Sequence, residues 1–305
     1  MRFAMLVTTL VAALLPGGEA VAFKTYSLAG GAIHGSISRK ALVKSGPQIN
    51  LACFKAIDNG NTSQDALGSS EFLNHSHHFD NCKIQESLAY IESCYGEIKP
   101  RLCLAGKHKE DYLFVLHKFG QLLHPLQDFY SHSNYVELQL SAHDNLTPDQ
   151  VPLINWQKIP PLLQTGFFYF KANTNNEYFM GINPFTAGNP DRDRVTPYLV
   201  KAGSFRPGTR YATTAEYVQI KTFGERIKYV NNAKFSLMHR DINKDNDATE
   251  EGKIANPETG STLFAYAENL AVRETARQWL RLESEVRQSC PDANRVLRVL
   301  RQGFK

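Results

Sequence analysis

The sequence predicts an all-α protein, one helical domain interrupted by an irregular, aromatic-rich insertion. Three observations lead there. Apolar residues recur at helical spacing within 34–45, 81–99, 109–140 and 261–289. No alternation of strand and helix would build a nucleotide-binding sheet, and the glycine pattern of a phosphate loop is absent. Prolines 148, 152, 160, 161, 184, 190, 197 and 207 crowd the stretch 141–235 and break any regular pattern there.

The elements follow in chain order. Residues 1–22, "MRFAMLVTTLVAALLPGGEAVA", have a positive start, an apolar run and a small-residue stop at Ala20-Val21-Ala22. They read as a secretory signal peptide, because the run falls well short of the roughly 20 residues a spanning helix needs. The mature domain, 23–305, is then exported. "HGSISRKALVKS" (34–45) is a helix with Ile37, Ala41 and Leu42 on one face. "NCKIQESLAYIESCYGEIK" (81–99) is another, with Ile84, Leu88 and Ile91 at helical spacing. The stretch 109–140 reads as the longest helix, with Leu113, Leu116, Leu123 and Leu126 facing the core. Glu110 and Asp111 suit its first turn, and Pro125 should kink it. Helical periodicity returns at 261–289, and "RVLRVLRQGFK" ends the chain as a basic amphipathic run with Arg295, Arg298 and Arg301 on one side.

The formal net charge of +4 is too weak to argue for nucleic acid, and no basic stripe is evident. Five cysteines, Cys53, Cys82, Cys94, Cys103 and Cys290, leave at least one thiol outside any intrachain pair. Cys82, Cys94 and Cys103 are close enough in sequence for a local bridge, but spacing does not give connectivity. There is no CxxC, which disfavours a thiolate zinc site.

The chemistry lies in the histidines. In "FGQLLHPLQDFYSHSN" (119–134), His124, Asp128 and His132 are four apart. Two such steps keep the three side chains within about 80° of arc on one helical face. The flanking residues are apolar, so that face is covered. A buried carboxylate between imidazoles is costly unless hydrogen bonds or a cation compensate it, and a divalent metal does so directly. His117, two turns earlier, is a candidate supporting residue. "NHSHHFDNC" (74–82) is either a ligand segment or a solvated loop, and His34 before its helix means little alone.

Taken in order, "HGSISRKAL", "HHFDNC", "LHPLQDFYSHSNYVEL" and "HRDINKD" resemble the signatures of Het-C-type proteins and the related bacterial zinc-dependent phospholipases C. The resemblance implies a helical fold akin to single-strand nucleases and two or three Zn2+ ions held by residues from several helices. It implies His34 as the N-terminal histidine ligand, His78 as the histidine of the "HF" signature with His77 as fallback, and Asp65, or else Asp58, as the preceding aspartate. His124, Asp128 and His132 supply the central ligands. The family closes its site with a late histidine and acid four apart. Here His239 and Asn243 have that spacing, which leaves Glu137, Asp245 and Glu268 as candidates for the acid. The free amino group at Phe23 is a further possible ligand. Asp65 is expected to double as the catalytic proton acceptor.

The implied function is a secreted zinc-dependent phospholipase C that converts glycerophospholipids of the phosphatidylcholine type to diacylglycerol and a phosphorylated head group. Its partner is phospholipid at a membrane surface, with no nucleic acid expected. The alternatives are a non-enzymatic Het-C-like lipid-binding or interaction protein, and a related zinc nuclease. The aromatics Phe167, Phe168, Tyr169, Phe170, Tyr178 and Phe179 would either face lipid or pack the insertion.

Overall fold

The computed structural model describes residues 33–44, 46–66, 71, 74–166, 222–231, 235–237 and 239–304, with the two-residue segments 170–171, 178–179 and 210–211. The signal segment, Phe23 and the aromatic side chains at 167–170, 178 and 179 lie outside the described residues.

The protein is all-α. Helix α1 (Ile33–Arg39) runs into a π-helical turn, Lys40–Lys44. Helix α2 (Leu51–Thr62) starts where the Asn50 side chain accepts from the Ala52 N–H, and ends in a 3-10 turn, Ser63–Asp65. Then come α3 (Ile84–Leu102), α4 (Lys109–His132) and α5 (Tyr135–Ala142). After the insertion follow α6 (Phe223–Val230), a single turn α7 (His239–Ile242), α8 (Leu263–Ser289) and α9 (Ala293–Gln302). Extended pairing among the described residues is confined to two ladders of two residues each, 170–171 with 178–179 and 210–211 with 235–236, and two isolated bridges.

Helix α4 is the axis of the molecule. It packs against α2, α3 and α8. Every residue from Leu122 to His132 is buried, as expected of a helix covered on all sides. Two glycines allow its closest crossing. A Cβ on Gly60 of α2 would stand 1.9 Å from the His117 carbonyl oxygen, and one on Gly120 of α4 would stand 2.0 Å from that of Ile57. With hydrogen there instead, the two backbones touch. This approach brings the end of α2 beside the lower half of α4. On the other side, Phe119 meets Trp279 of α8 edge-on, with ring centroids 5.5 Å apart.

The structure departs from several of these readings. The helix expected over 109–140 is two helices, and α8 is longer than either. α4 stops because Ser133 turns to extended backbone and bridges Thr165. The Asn134 side chain then accepts from the Gln164 N–H and donates to the carbonyls of Leu162 and Val230. The Asn134 N–H donates to the Gln164 carbonyl and the Gly166 N–H to that of His132, so the insertion takes over backbone hydrogen bonds that another helical turn would have used. α4 runs on through Pro125 as one helix. Leu113 is exposed, because Tyr112, Val115, Leu116 and Phe119 form the covered face at that end. No local bridge joins Cys82, Cys94 and Cys103. Instead Cys103, after α3, is bonded to Cys290, after α8, across 187 residues. Cys53, Cys82 and Cys94 are thiols.

Candidate metal centre

Segments far apart in sequence bring their histidines and aspartates to two adjoining buried centres. The first holds His34 of α1, Asp65 after α2, His78 of the 74–82 segment, and His124 and Asp128 of α4. The second holds Asp80, His132 and His239, with Asp245 beside them.

In the first centre, hydrogen bonds on the outer side fix which nitrogen faces inward. His34 Nδ1 donates to Gln127 Oε1 at 2.7 Å. His124 Nδ1 donates to Asn61 Oδ1 at 3.1 Å. His78 Nε2 donates to the Glu71 carbonyl at 3.3 Å. The inward atoms of neutral rings are therefore lone pairs: His34 Nε2, His124 Nε2 and His78 Nδ1. His34 Nε2 lies 3.2 Å from Asp128 Oδ1 and 3.8 Å from Asp65 Oδ2. His124 Nε2 lies 3.0 Å from Asp128 Oδ2 and 3.4 Å from Asp65 Oδ1. His78 Nδ1 lies 3.1 Å from Asp128 Oδ2. Most telling, His124 Nε2 and His78 Nδ1 stand 3.0 Å apart. With both rings neutral and bonded outward, two lone pairs face each other there, an arrangement that a cation, either a proton or a metal ion, would relieve. Three imidazole nitrogens and two carboxylates form a donor set suited to zinc.

Gln127 is the hub of this arrangement. Its Oε1 takes His34 and also the Asn61 amide at 3.0 Å, while its Nε2 donates to Ser38 Oγ at 3.0 Å and Thr275 Oγ1 at 2.9 Å. All of these side chains are fully buried. One amide therefore ties α1, α2, α4 and α8 to the orientation of two imidazoles.

The 78–82 turn feeds both centres. His78 points into the first and Asp80 into the second, while Phe79 between them is buried against Phe129 and Trp156. Phe79, Asn81 and Cys82 have φ of 55°, 60° and 53°, a left-handed conformation that Asn tolerates but that is unfavourable for Phe and Cys. Bonds from the Asn81 N–H to the Gly166 carbonyl and from the Cys82 N–H to Thr165 Oγ1 hold it.

In the second centre His239 Nδ1 is 3.1 Å from Asp80 Oδ1, and His132 Nδ1 is 3.5 Å from the same oxygen. His132 Nε2 donates to Asp245 Oδ1 at 3.0 Å, an oxygen that also accepts from Ser131. Asn243 donates to Asp245 Oδ2 and to His239 Nε2. Of the three candidate acids, Asp245 is the one that lies beside the second centre. Glu137 instead forms a buried ion pair with Lys244 at 2.9 Å, and Glu268 pairs with Lys40 at the surface. Lys244 also donates to the carbonyls of Ser133 and Ile242, which clamps the 242–245 loop onto α4 and α5.

The electrostatics follow from this packing. Burial disfavours the Asp128 carboxylate, but His124 and His34 outweigh it and hold its pKa well below the usual range. Asp80 is likewise pushed up by burial and pulled down further by His239 and His132, to about 2. His124 is disfavoured as a cation by burial, yet Asp128 and Asp65 raise it to about 10. In the second centre the two imidazoles part. His132 is raised by Asp245 and Asp128 against its burial, whereas burial and the neighbouring His132 lower His239.

Of the residues expected from sequence, His34, Asp65, His78, His124 and Asp128 converge in the first centre, and His132 and His239 in the second. The fallback His77 points away: its Nδ1 meets Glu71 at 2.6 Å and its ring stacks on Tyr90. Asp58 and His117 stand outside both groups. Asp80, Asn61 and Gln127 were missed. Asp80 lies two positions after His78, and Gln127 three after His124, the spacing that returns to the same helical face.

Residues 37–155 match the model of the VWA7 N-terminal domain. The matched span includes Asp65, His78, Asp80, His124, Asp128 and His132. Over 87 residues, 28% of this chain, the sequence is 33% identical to von Willebrand factor A domain-containing protein 7 of Rattus norvegicus. That stretch is 9% of the relative's length. No solved structure is significantly similar to the chain. The expected kinship thereby takes a more definite form: the chain carries a segment similar to the VWA7 N-terminal domain, itself related to the Het-C and zinc phospholipase C fold, with buried His/Asp triads of metal-binding composition.

Proposed function

We propose that the chain is a zinc-dependent phosphodiesterase of the phospholipase C kind, acting on glycerophospholipid. One observation carries this reading: the inward nitrogens of His34, His78 and His124 converge with Asp65 and Asp128 in a buried donor set that a divalent cation would complete. Two adjoining centres along one helix suit an anionic phosphodiester. Zinc held there supplies charge neutralisation for phosphate oxygens and eases deprotonation of water.

The chain's own residues do the rest. Gln127 and Asn61 orient His34 and His124. Asp128, fully buried, stays ionised and anchors three imidazoles. Asp65 is the proton acceptor. In the metal-free chain burial pushes its pKa up, but His124, His34 and His78 bring it below the usual value. In the second centre His132 donates to Asp245 beside Asp80.

The location is secretory. The Cys103–Cys290 bond suits an oxidising compartment. No helix among the described residues is long and apolar enough to cross a membrane.

Purified mature chain incubated with phosphatidylcholine is expected to release phosphocholine, and a chelator should abolish it. Two or more zinc ions per chain with no release across several head groups would favour a second reading, a metal-stabilised interaction module. The Asn243 amide, which donates to His239 where the family places an acid, favours that alternative.

A further inference from the structure

The amphipathic C-terminal helix has a feature that the two centres do not use. A cavity of about 330 Å³ opens between α9 and the 104–106 turn, lined by Arg295, Arg298, Val299, Gln302, Phe304 and two glycines. Its only charged lining groups are the two guanidiniums. Most other arginines are committed. Arg101 pairs with Asp111, Arg277 with Glu274, Arg281 with Glu92, and Arg287 and Arg301 with Glu283. Arg273 donates to the Val151 carbonyl, and Arg39 lies over the Phe54 ring. Among the described residues, Arg295 and Arg298 have no such ion pair, hydrogen bond or ring contact.

Two like charges one turn apart on a helix repel each other. An anion between them converts that repulsion into two charge-assisted hydrogen bonds. Gln302, one turn further, adds an amide donor on the same side. Phe304, partly exposed and 6.3 Å from Tyr112, walls the cavity with an apolar face.

We propose that this pocket binds a phosphate group, either free as a small phosphomonoester or carried by an anionic lipid. Guanidiniums match the fork geometry of phosphate oxygens. The site is separate from the His/Asp centres. Tyr112, which contacts Phe304, lies twelve residues before His124 on α4, a rise of about 18 Å. The inference therefore stands independently of the proposed enzymatic activity.

The test uses the mature chain and an Arg295→Gln/Arg298→Gln variant. Both positions are exposed, so the fold should persist, and a thermal melt checks it. Inorganic phosphate and glycerol phosphate are titrated calorimetrically. Sedimentation is measured with vesicles of phosphatidylcholine, plain and doped with phosphatidic acid. Loss of both guanidiniums should weaken phosphate binding about tenfold or more. Binding of the small phosphates that the variant loses identifies a free phosphate ligand. Arginine-dependent sedimentation with the doped vesicles alone identifies a lipid-borne one. No binding in either arm, or binding equal in the variant, overturns the proposal. Because the variant leaves the His/Asp centres intact, phosphate bound there appears equally in both proteins and is not mistaken for the pocket.

Discussion

At the scale of single residues, the imidazoles depend on amides that a motif search does not see. Gln127→Leu removes the acceptor for His34 and Asn61 and strands Ser38 and Thr275. Zinc affinity is expected to fall about 10–100-fold, as for other losses of orienting partners. Competition with a chromophoric chelator measures the fall, and nitrogen-15 NMR of the imidazoles reports the change of tautomer. A variant with unchanged affinity and tautomers would remove Gln127 from this role. His124 sets a pH dependence in the metal-free chain. Its folded pKa, about 10, lies above the ordinary value of 6.5. The stability it contributes is thus complete below the ordinary value and is lost as the pH rises toward the folded one. Metal-free protein should melt lower across that window. Zinc competes for the same nitrogen, so adding it at about pH 8 should release about one proton from His124, read with an indicator dye. Release of none would place the ion elsewhere.

The same scale shows what the sequence made legible. His124, Asp128 and His132 could be placed on one face because helical pitch alone relates them. The partners arriving from α1, the 78–82 turn and the 239–245 loop came only from the order of the resembling motifs. Asp80 was overlooked because a left-handed turn of non-glycine residues has no periodic signal. It takes tertiary bonds from Thr165 and Gly166 to hold it.

At the scale of elements, the α2–α4 crossing positions the first centre. Gly120→Ala pushes a methyl group against the Ile57 carbonyl and is expected to cost roughly 1–3 kcal/mol. Denaturant unfolding measures this, and the same variant should bind zinc less tightly because Asp65 and Asn61 move with α2. The clamp on the 242–245 loop makes a second case. Lys244→Met leaves Glu137 charged and buried, a loss of about 3–5 kcal/mol. The double variant with Glu137→Leu should recover much of it. If the double variant is no better than the single, the pair's other bonds, to the carbonyls of Ser133 and Ile242, carry the clamp. Element types were legible from apolar spacing, but their ends were not. Nothing local in "SHSNYVEL" says that Asn134 will be captured by residues 162–164, because that competition exists only once the insertion has folded back.

At the scale of the whole molecule, the Cys103–Cys290 bond ties the end of α3 to the end of α8 and closes a loop of most of the described chain. In the chain-entropy treatment such a loop contributes about 5 kcal/mol. Reduction should therefore lower the denaturant midpoint markedly while leaving zinc content unchanged in the folded fraction. Loss of zinc in folded, reduced protein would mean that the bond shapes the centres as well. All-α architecture was readable because long periodic segments needed no tertiary information. The disulfide was not, since cysteine spacing carries no record of which helix ends become neighbours.

Helix α4 also acts as a ruler. Asp128 belongs to one centre and His132 to the next, and the four-residue step from one to the other rises about 6 Å whatever the rest of the chain does. The separation of the two sites is thus graduated by backbone pitch rather than negotiated among loops. Loop sequence elsewhere can vary while the gauge between the two centres stays constant.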